Sequence, residues 1–419
     1  MGSLGGEELA RLTGVIESGS LGYITGTQTK ALQSSFGELY GTRHNVAVNS
    51  GTSSLQTALV YLNPEPGDEI ICSPITDMGQ IIAILMQLCV PVFVDIDPLT
   101  QNIDASKIRE HISPRTRAII ATHIYGSPAD MDPIMEIADE HNLFVVEDCA
   151  QALLSYYKGR LVGTIGHMGC FSFQQSKHMT TGDGGMVIAN EDTRHGRQLA
   201  LCHDKGWPRD GISKPIAPGE VVVFGSRDHL FLAPNFHMTE LQAAVGIEQL
   251  KKLPEMVAQR RASAALLAEL LEQGGAAELG LRRVEDLAGC EGSVFWWCFT
   301  FDPELLSSGV ECEQVYQALV AEGVKCEHGY PSARRMLYDY DVLSKRRTFG
   351  TNGFPLRSPP ARKDWEYRPG LCPVAEDVCP RTICLHWSEK YDATHVEQIG
   401  TAVLKVLRAY TSPSQAPSR

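Results

Sequence analysis

The sequence has no excess of positive charge. Its 37 lysines and arginines stand against 50 aspartates and glutamates, for a formal net charge of −13 and a pI near 5.5. A nucleic-acid binder needs a basic face to meet phosphates, so that class is set aside, while a local basic pocket for an anionic substrate remains compatible. Long apolar runs are also missing. The most apolar stretch, Ile81 to Val94, is interrupted by Gln87 and Pro91 and closed by Asp95, short of the roughly 20 residues of a membrane span. Twelve cysteines are scattered, mostly within apolar segments, and none forms a Cys-x-x-Cys pair. A structural zinc site therefore lacks its usual signature. Cys326-Glu327-His328 and the Cys379 to Cys384 segment are the nearest approaches, and free thiols are the plainer account of them. Reduced cysteines point to a cytoplasmic location. The opening Met1-Gly2-Ser3-Leu4-Gly5-Gly6-Glu7-Glu8 has neither a basic nor an apolar region of a secretory signal, and Glu7-Glu8 gives no basic support to a lipid anchor on Gly2.

What the chain does have is an ordinary globular make-up, 43% hydrophobic and 21% charged over 419 residues, enough for a substantial core. From residue 45 to 190, short β-rich runs alternate with helix-length segments. The runs are Asn45–Asn49, Glu69–Ser73, Val92–Asp95, Ala118–His123, Leu143–Asp148, Met168–Phe173 and Met186–Ala189. Several are continuously apolar, as strands covered on both faces are. Helical candidates fall at Ser53–Leu62, Met78–Leu88, Asp104–His111 and Pro133–Glu140. This alternation predicts an α/β fold with a mostly parallel, seven-stranded sheet between helices. Ligands of such sheets gather beyond the carboxyl ends of the strands, where Ser73, His123 and Asp148 stand.

Residues 208 to 235 read as a long irregular loop. A helix starting at Thr239 is expected to run toward Pro254, with a second from Met256 to Gln273. The domain boundary is placed there: a large unit over 1–255, a smaller α+β unit over 256–410, and a disordered tail over 411–419. The smaller unit carries a β-like run at Val294–Phe301, helices at Glu313–Glu322 and Ala393–Tyr410, and a loop-rich stretch from Asp341 to Pro373.

Three segments carry chemistry. Ser50-Gly51-Thr52-Ser53 follows the first strand and opens a helix. Gly51 permits a tight turn, and the N–H groups of Thr52 and Ser53 would point at an anion with the helix dipole behind them; an ordinary N-cap is the alternative. Asp148 ends an apolar strand. Lys177 follows Phe171-Ser172-Phe173 and precedes Gly182-Asp183-Gly184-Gly185, a setting that buries its stem and depresses its pKa. An amine, a carboxylate and an anion cradle are what pyridoxal 5′-phosphate requires: a lysine to form the Schiff base, an acid beside the ring nitrogen and a turn for the phosphate. His123 and His178 are further pocket candidates. Pro234-Asn235-Phe236-His237-Met238-Thr239 leads into a helix that Thr239 is placed to cap.

Taken in order, these segments resemble the DegT/DnrJ/EryC1/StrS aminotransferases from about residue 15 to 408. The matching motifs are Ser50-Gly51-Thr52, Pro91 through Asp97, Ile124-Tyr125-Gly126, Glu147-Asp148-Cys149-Ala150-Gln151, Phe171-Ser172-Phe173 with Lys177, Gly182 through Gly185, and Asn235-Phe236-His237-Met238. The resemblance implies the type I fold of pyridoxal-phosphate transferases and a ping-pong transfer of an amino group from glutamate or glutamine to a keto-sugar or keto-cyclitol. It implies Lys177 as the Schiff-base and proton-shuttling residue and Asp148 beneath the ring nitrogen. Gln151 would lie by the ring hydroxyl, with Gly51, Thr52, Ser53 and Ser172 about the phosphate. Asn235 would reach the phosphate of a partner subunit in a homodimer with shared sites. Gln174-Gln175-Ser176 resembles the aminocyclitol branch. Two positions depart from the pattern. Asp77 follows Thr76 where the family carries a ring-stacking aromatic, leaving Met78 as a possible substitute, and His237 stands where arginine is common. A sugar dehydratase on the same scaffold, which carries histidine in place of the lysine, and a non-catalytic family member are the alternatives; Lys177 speaks against both.

Overall fold

The computed structural model describes residues 4–189, 193–208 and 229–411. The expected loop at 208–235 and the expected tail lie largely outside those residues. Two helices that the strand-and-helix alternation did not announce open the chain, α1 (Gly6–Ser18) and α2 (Gln28–Tyr40). The α/β alternation follows: β1 (His44–Val48), α3 (Gly51–Leu62), β2 (Glu69–Cys72), α4 (Met78–Met86), β3 (Val90–Phe93), β4 (Thr116–Thr122), α5 (Met131–His141) and β5 (Phe144–Asp148). A short ribbon, β6 (Tyr156–Tyr157) and β7 (Arg160–Leu161), leads to β8 (Met168–Ser172), β9 (Gly185–Ala189) and α6 (Thr193–Cys202). Asp104–His111, read as an α-helix, is a 3-10 helix over Ala105–His111.

The central sheet has seven strands in the order β1-β9-β8-β5-β4-β2-β3. All neighbours are parallel except β9, which runs antiparallel to both β1 and β8. Strands β2, β3, β8 and β9 are buried at every residue, which is why their sequences run apolar rather than alternating. The register pairs Thr122 with Asp148 and Asp148 with Cys170, so β4 and β5 end level and β8 runs on beyond them to Ser172.

The rest of the chain begins with α7 (Glu240–Gln273), a single 34-residue helix with Pro254 inside it. The two expected helices are thus one, and the 255/256 boundary falls within it. An internal proline removes a helix hydrogen bond and costs about 3 kcal/mol, which packing along both halves offsets. The first half lies on α1 and α2, and its Leu250, Leu253 and Val257 join the core under the large sheet. The second half's Ala264, Leu267 and Leu271 join a separate apolar cluster. That second cluster is built on an antiparallel sheet in the order β10-β12-β14-β13. The elements in this part of the chain are β10 (Leu281–Arg283), β11 (Cys290–Glu291), β12 (Trp296–Phe301), α8 (Cys312–Ala321), β13 (Cys326–His328), α9 (Asp341–Ser344), α10 (Pro373–Val378), β14 (Thr382–His386) and α11 (Ala393–Tyr410); of these, β11 pairs with β6 in the short ribbon, and Leu343 of α9 and Ala375 and Val378 of α10 join the large core. The irregular stretch from 341 to 373 covers the β3 side of the large sheet, where the Tyr367 hydroxyl donates to the Pro91 carbonyl at 2.8 Å. Among the described residues no helix is long and apolar enough to cross a membrane.

Candidate active site

A cavity of about 370 Å³ opens where the carboxyl ends of β5 and β8 meet the amino ends of α3 and α4, closed on the far side by Phe295, Trp296 and Tyr330. Gly51, Thr52, Asp148, Ser172 and Lys177 all line it. Residues separated by more than 120 positions along the chain thus share one space.

The first of them are placed by the amino end of α3. Ser50 is its N-cap, taking the Ser53 N–H on its hydroxyl at 3.0 Å, and the Ser54 N–H goes to the Ser50 carbonyl. The N-cap reading of this turn therefore holds, and it consumes the Ser53 amide. Ser53 sits behind the cavity wall, its hydroxyl donating to Asn49 at 2.6 Å. The Gly51 and Thr52 N–H groups have no acceptor among the described residues, and they stand at the positive end of the helix. Glycine is required at 51 by a close approach: a Cβ there would lie 2.7 Å from the Ser172 Cβ. The neighbouring α4 approaches just as closely, for a Cβ on Gly79 would lie 2.5 Å from the Thr52 hydroxyl. Two helix amino ends thereby converge on one side of the cavity.

Asp148 closes β5 and is 6% exposed. One carboxylate oxygen accepts the Ala150 N–H at 3.1 Å. Burial pushes its pKa up, against the pull of that amide and of the Lys177 amine; among the described residues it has no ion-pair partner. A buried carboxylate in this state gains from a cation brought to it. Lys177 sits in the turn after β8, its N–H donating to the Gln174 carbonyl at 2.9 Å. The strand leading to it is anchored from behind: Phe171 and Phe173 are fully buried, with Phe36 and Tyr40 packed on Phe171 at 5.0 and 4.9 Å. The half-buried amine stands 4.6 Å over the Phe295 ring. Burial draws its pKa below the ordinary lysine value, while the Asp148 and Asp77 carboxylates oppose the shift.

Gln151 is buried just outside the cavity. Its carbonyl oxygen accepts the Tyr125 N–H at 2.9 Å, and its amide nitrogen donates to the Tyr330 hydroxyl at 3.3 Å. Asn235 is exposed in the segment entering α7 and does not line this cavity, nor does any residue from 341 to 373. Thr239 caps α7 as expected, in a reciprocal arrangement with Gln242. His237 stacks on Tyr23 at 4.5 Å and pairs with Asp204 at 2.9 Å.

The two candidate histidines turn away from the cavity. His123 donates from Nε2 to Glu147 at 3.0 Å and accepts the Ala129 N–H on Nδ1. Glu147 also takes the N–H groups of Gly163, Ile165 and Gly166. Although His123, Glu147 and Cys149 place possible ligand atoms within 4.8 Å of one another, hydrogen bonds already occupy the imidazole and carboxylate, and the trio anchors a loop. His178 is fully buried, bonded through Nε2 to the Ser293 carbonyl at 3.0 Å, and burial lowers its pKa. Ser73 likewise stays local, accepting the Ile75 N–H.

Asp77 lines the cavity, whereas Met78 packs against the core and is not among the residues lining it. The sequence reading overlooked Gln80, Phe295, Trp296 and Tyr330. Trp296-Trp297 within a β-like run was a signal, since alternation turns one ring inward and the other out; Gln80 follows Asp77 by one helical turn.

The family model of the DegT/DnrJ/EryC1/StrS aminotransferases matches residues 3–352. A relative from Streptoalloteichus tenebrarius, named as an L-glutamine:3-amino-2,3-dideoxy-scyllo-inosose aminotransferase, is 39% identical over 76% of this chain and 74% of its own. A second protein of that organism, named L-glutamine:2-deoxy-scyllo-inosose aminotransferase, is 33% identical over 89% of this chain and 84% of its own. The crystal structure of an aminotransferase from Psychrobacter cryohalolentis superposes with a TM-score of 0.84 at 28% identity, over 97% of this chain and 98% of that one.

Proposed function

The chain belongs to the DegT/DnrJ/EryC1/StrS aminotransferase family, and from that premise we propose that it moves an amino group from L-glutamine to the ketone of a sugar or cyclitol, with pyridoxal 5′-phosphate held at Lys177. The observation that carries this reading is the meeting of Lys177, Asp148 and the Ser50-Gly51-Thr52 turn around one cavity. The names of the two relatives from Streptoalloteichus tenebrarius support glutamine as the donor and a ketone on a cyclic polyol as the acceptor.

The residues present fit that cofactor. Asp148 is a buried carboxylate with no ion-pair partner among the described residues, and it would keep a proton on the ring nitrogen. The Gly51 and Thr52 amides and the Ser172 hydroxyl would hold the phosphate, with Ser53 bracing the turn from behind. Gln151, oriented by the Tyr125 N–H and the Tyr330 hydroxyl, would meet the ring hydroxyl. Bound there, the cofactor supplies an aldehyde that exchanges amines and a ring that stores an electron pair. Lys177 is the covalent anchor, and its depressed pKa makes the neutral, nucleophilic amine available at lower pH than an ordinary lysine. Once displaced by the donor amine, the same Nζ would take the proton from the donor's α-carbon and return it to the cofactor carbon on the other side of the bridging nitrogen; in the second half-reaction it would move a proton in the opposite sense. Asn235 is assigned to the phosphate of a second subunit, making the working unit a homodimer. The same reading divides the chain into a large cofactor unit, 1–255, and a smaller one, 256–410, with α7 crossing between them. A cytoplasmic setting fits twelve free cysteines, ten of them buried.

The test is spectroscopic. Protein loaded with pyridoxal phosphate should lose its visible absorbance on addition of L-glutamine and regain it on addition of a keto-cyclitol. Lys177→Ala should slow this cycle by about a thousandfold or more; a Lys177→Ala protein that cycles at the wild-type rate overturns the reading.

A further inference from the structure

Phe295 stands in the wall opposite the sheet, 3% exposed, and Lys177 holds its amine 4.6 Å over the centre of the ring. The backbone that carries this ring is strained. Val294, the residue before it, has a φ of 53°, where a β-branched residue is an outlier that persists only if its surroundings enforce it. Here they do. The Ser293 N–H donates to the Gly126 carbonyl at 3.0 Å and the Phe295 N–H to the Tyr125 carbonyl at 2.8 Å. Gly126 lies so close that a Cβ on it would be 2.8 Å from the Phe295 nitrogen. Arg260, 2% exposed, donates from one guanidinium nitrogen to the Val294 carbonyl at 3.1 Å and the Phe295 carbonyl at 3.4 Å. Its other two nitrogens meet Glu389 at 3.1 and 3.2 Å.

The turn is also tied to the lysine. His178, next to Lys177 in the chain, is fully buried and gives its Nε2 proton to the Ser293 carbonyl at 3.0 Å. The amine and the ring beneath it are therefore set by one linked unit, residues 177 and 178 on one side and 293 to 295 on the other. Among the described residues Nζ makes no hydrogen bond or ion pair; its contact is the ring. The charged groups facing it are Asp148 from β5 and Asp77 from α4, with Asp183 also on the lining.

We propose that Phe295 is the resting surface of Lys177 while the lysine is off the cofactor, and that the negative face of its ring steadies the ammonium formed when Nζ takes up a proton. This rests on the aminotransferase reading above and adds a group to its chemistry. In each half-reaction the substrate nitrogen has replaced Lys177, so Nζ is then an unlinked amine within reach of the ring. Its lone pair takes the proton from the donor's α-carbon, and the electron pair of that C–H bond passes into the cofactor ring. The ammonium so formed returns the proton to the cofactor carbon across the bridging nitrogen and is neutral again. An aromatic face within about 6 Å attracts a cation more than a neutral amine, so Phe295 favours the uptake. With Asp148 engaged by the ring nitrogen, Phe295 and Asp77 are left to face the charge. His178 and Arg260 are positioning residues that act through the turn at 293 to 295. Phe295 thus comes from the far wall but serves the lysine of the sheet side.

The test changes the electrons of the ring and keeps its shape. Phenylalanine, 4-fluorophenylalanine and 3,4,5-trifluorophenylalanine are placed at position 295 by codon suppression. In the cofactor-free protein, acylation of Lys177 is followed against pH by mass mapping. Its midpoint should move to lower pH along the series, by about half a pH unit for the trifluoro ring. In the loaded enzyme, single-turnover loss of visible absorbance with L-glutamine should slow in the same order, by about threefold or more for the trifluoro ring, with glutamine affinity near wild type. Phe295→Leu should show both effects. His178→Leu should reproduce them, and His178→Gln, which keeps an N–H donor of similar reach, should stay near wild type. Added to Phe295→Leu, His178→Leu should change little more. A midpoint and a rate that ignore fluorination overturn the proposal, as does a slower rate with an unmoved midpoint. Effects of Phe295→Leu and His178→Leu that add in full overturn the positioning role of His178. If glutamine bleaches the wild-type cofactor while fluorination changes nothing, the resting surface falls and the aminotransferase reading stands. If glutamine bleaches nothing in the wild type, the aminotransferase reading falls and this proposal with it, whatever the acylation midpoints show of the ring contact.

Discussion

The sheet side of the cavity and the wall opposite it are built differently. Asp148, Ser172 and Lys177 are carried at or just past the ends of β5 and β8, with fully buried phenylalanines behind Ser172. Asp77, Gln80, Trp296 and Tyr330 come from the first turn of α4, the start of β12 and the loop after β13, which belong to different layers. One side is held by the sheet's own hydrogen bonds and suits groups whose misplacement by an ångström would cost rate. The other is assembled from surfaces that can vary without disturbing the sheet, which suits the choice of acceptor. On the proposed function, chemistry and selectivity sit on separate walls, and changes to each should have different signatures.

On the sheet side, Asp148→Asn should lower turnover by roughly a hundredfold or more. It should act oppositely on the cofactor-free protein. Because burial raises the folded-state pKa of Asp148, the folded chain binds that proton more readily than the unfolded one. The cofactor-free wild type therefore loses stability as pH rises from the ordinary carboxylate range through the raised value. The asparagine variant should lack this decline and melt higher at neutral pH, while gaining less from added cofactor. A variant that melts lower with or without cofactor would show that Asp148 serves the fold alone.

Gly51→Ala places a Cβ against Ser172 and should weaken pyridoxal phosphate binding by about tenfold or more while leaving the glutamine KM of the loaded enzyme near wild type. Equal damage to both would blur the division between phosphate cradle and substrate wall.

The smallest expected effect links the two walls. The carboxylates of Asp77 and Asp148 both hold the Lys177 pKa up against burial. Asp77→Asn should therefore move the pH midpoint for reaction of the cofactor-free enzyme with pyridoxal phosphate to lower pH. Titration of the visible absorbance reads this directly, and a shift upward would place Asp77 away from the amine.

The same contrast sets what the sequence could reveal. The seven strands were legible because β2, β3, β8 and β9 are buried on both faces and read as apolar runs. Gly51 follows β1, Asp148 ends β5 and Lys177 lies five residues past β8, so the strand alternation alone placed all three at strand ends. Helix α2 was missed although Leu32, Phe36 and Tyr40 repeat every fourth residue; the spacing was there. Pro254 was read as a break because a local rule has no knowledge of the packing along both halves of α7. Tyr330 had no local signature: it reaches the cavity only through tertiary folding. The histidines illustrate the reverse error, since His123 and His178 sit beside the right residues in sequence and point elsewhere.

The most direct measurement is borohydride reduction of the protein loaded with pyridoxal phosphate, followed by proteolysis and mass mapping. The account expects one pyridoxyl group per chain, on the peptide containing Lys177, and none in Lys177→Ala. Labelling of a different lysine, or no retained cofactor in the wild type, would contradict it.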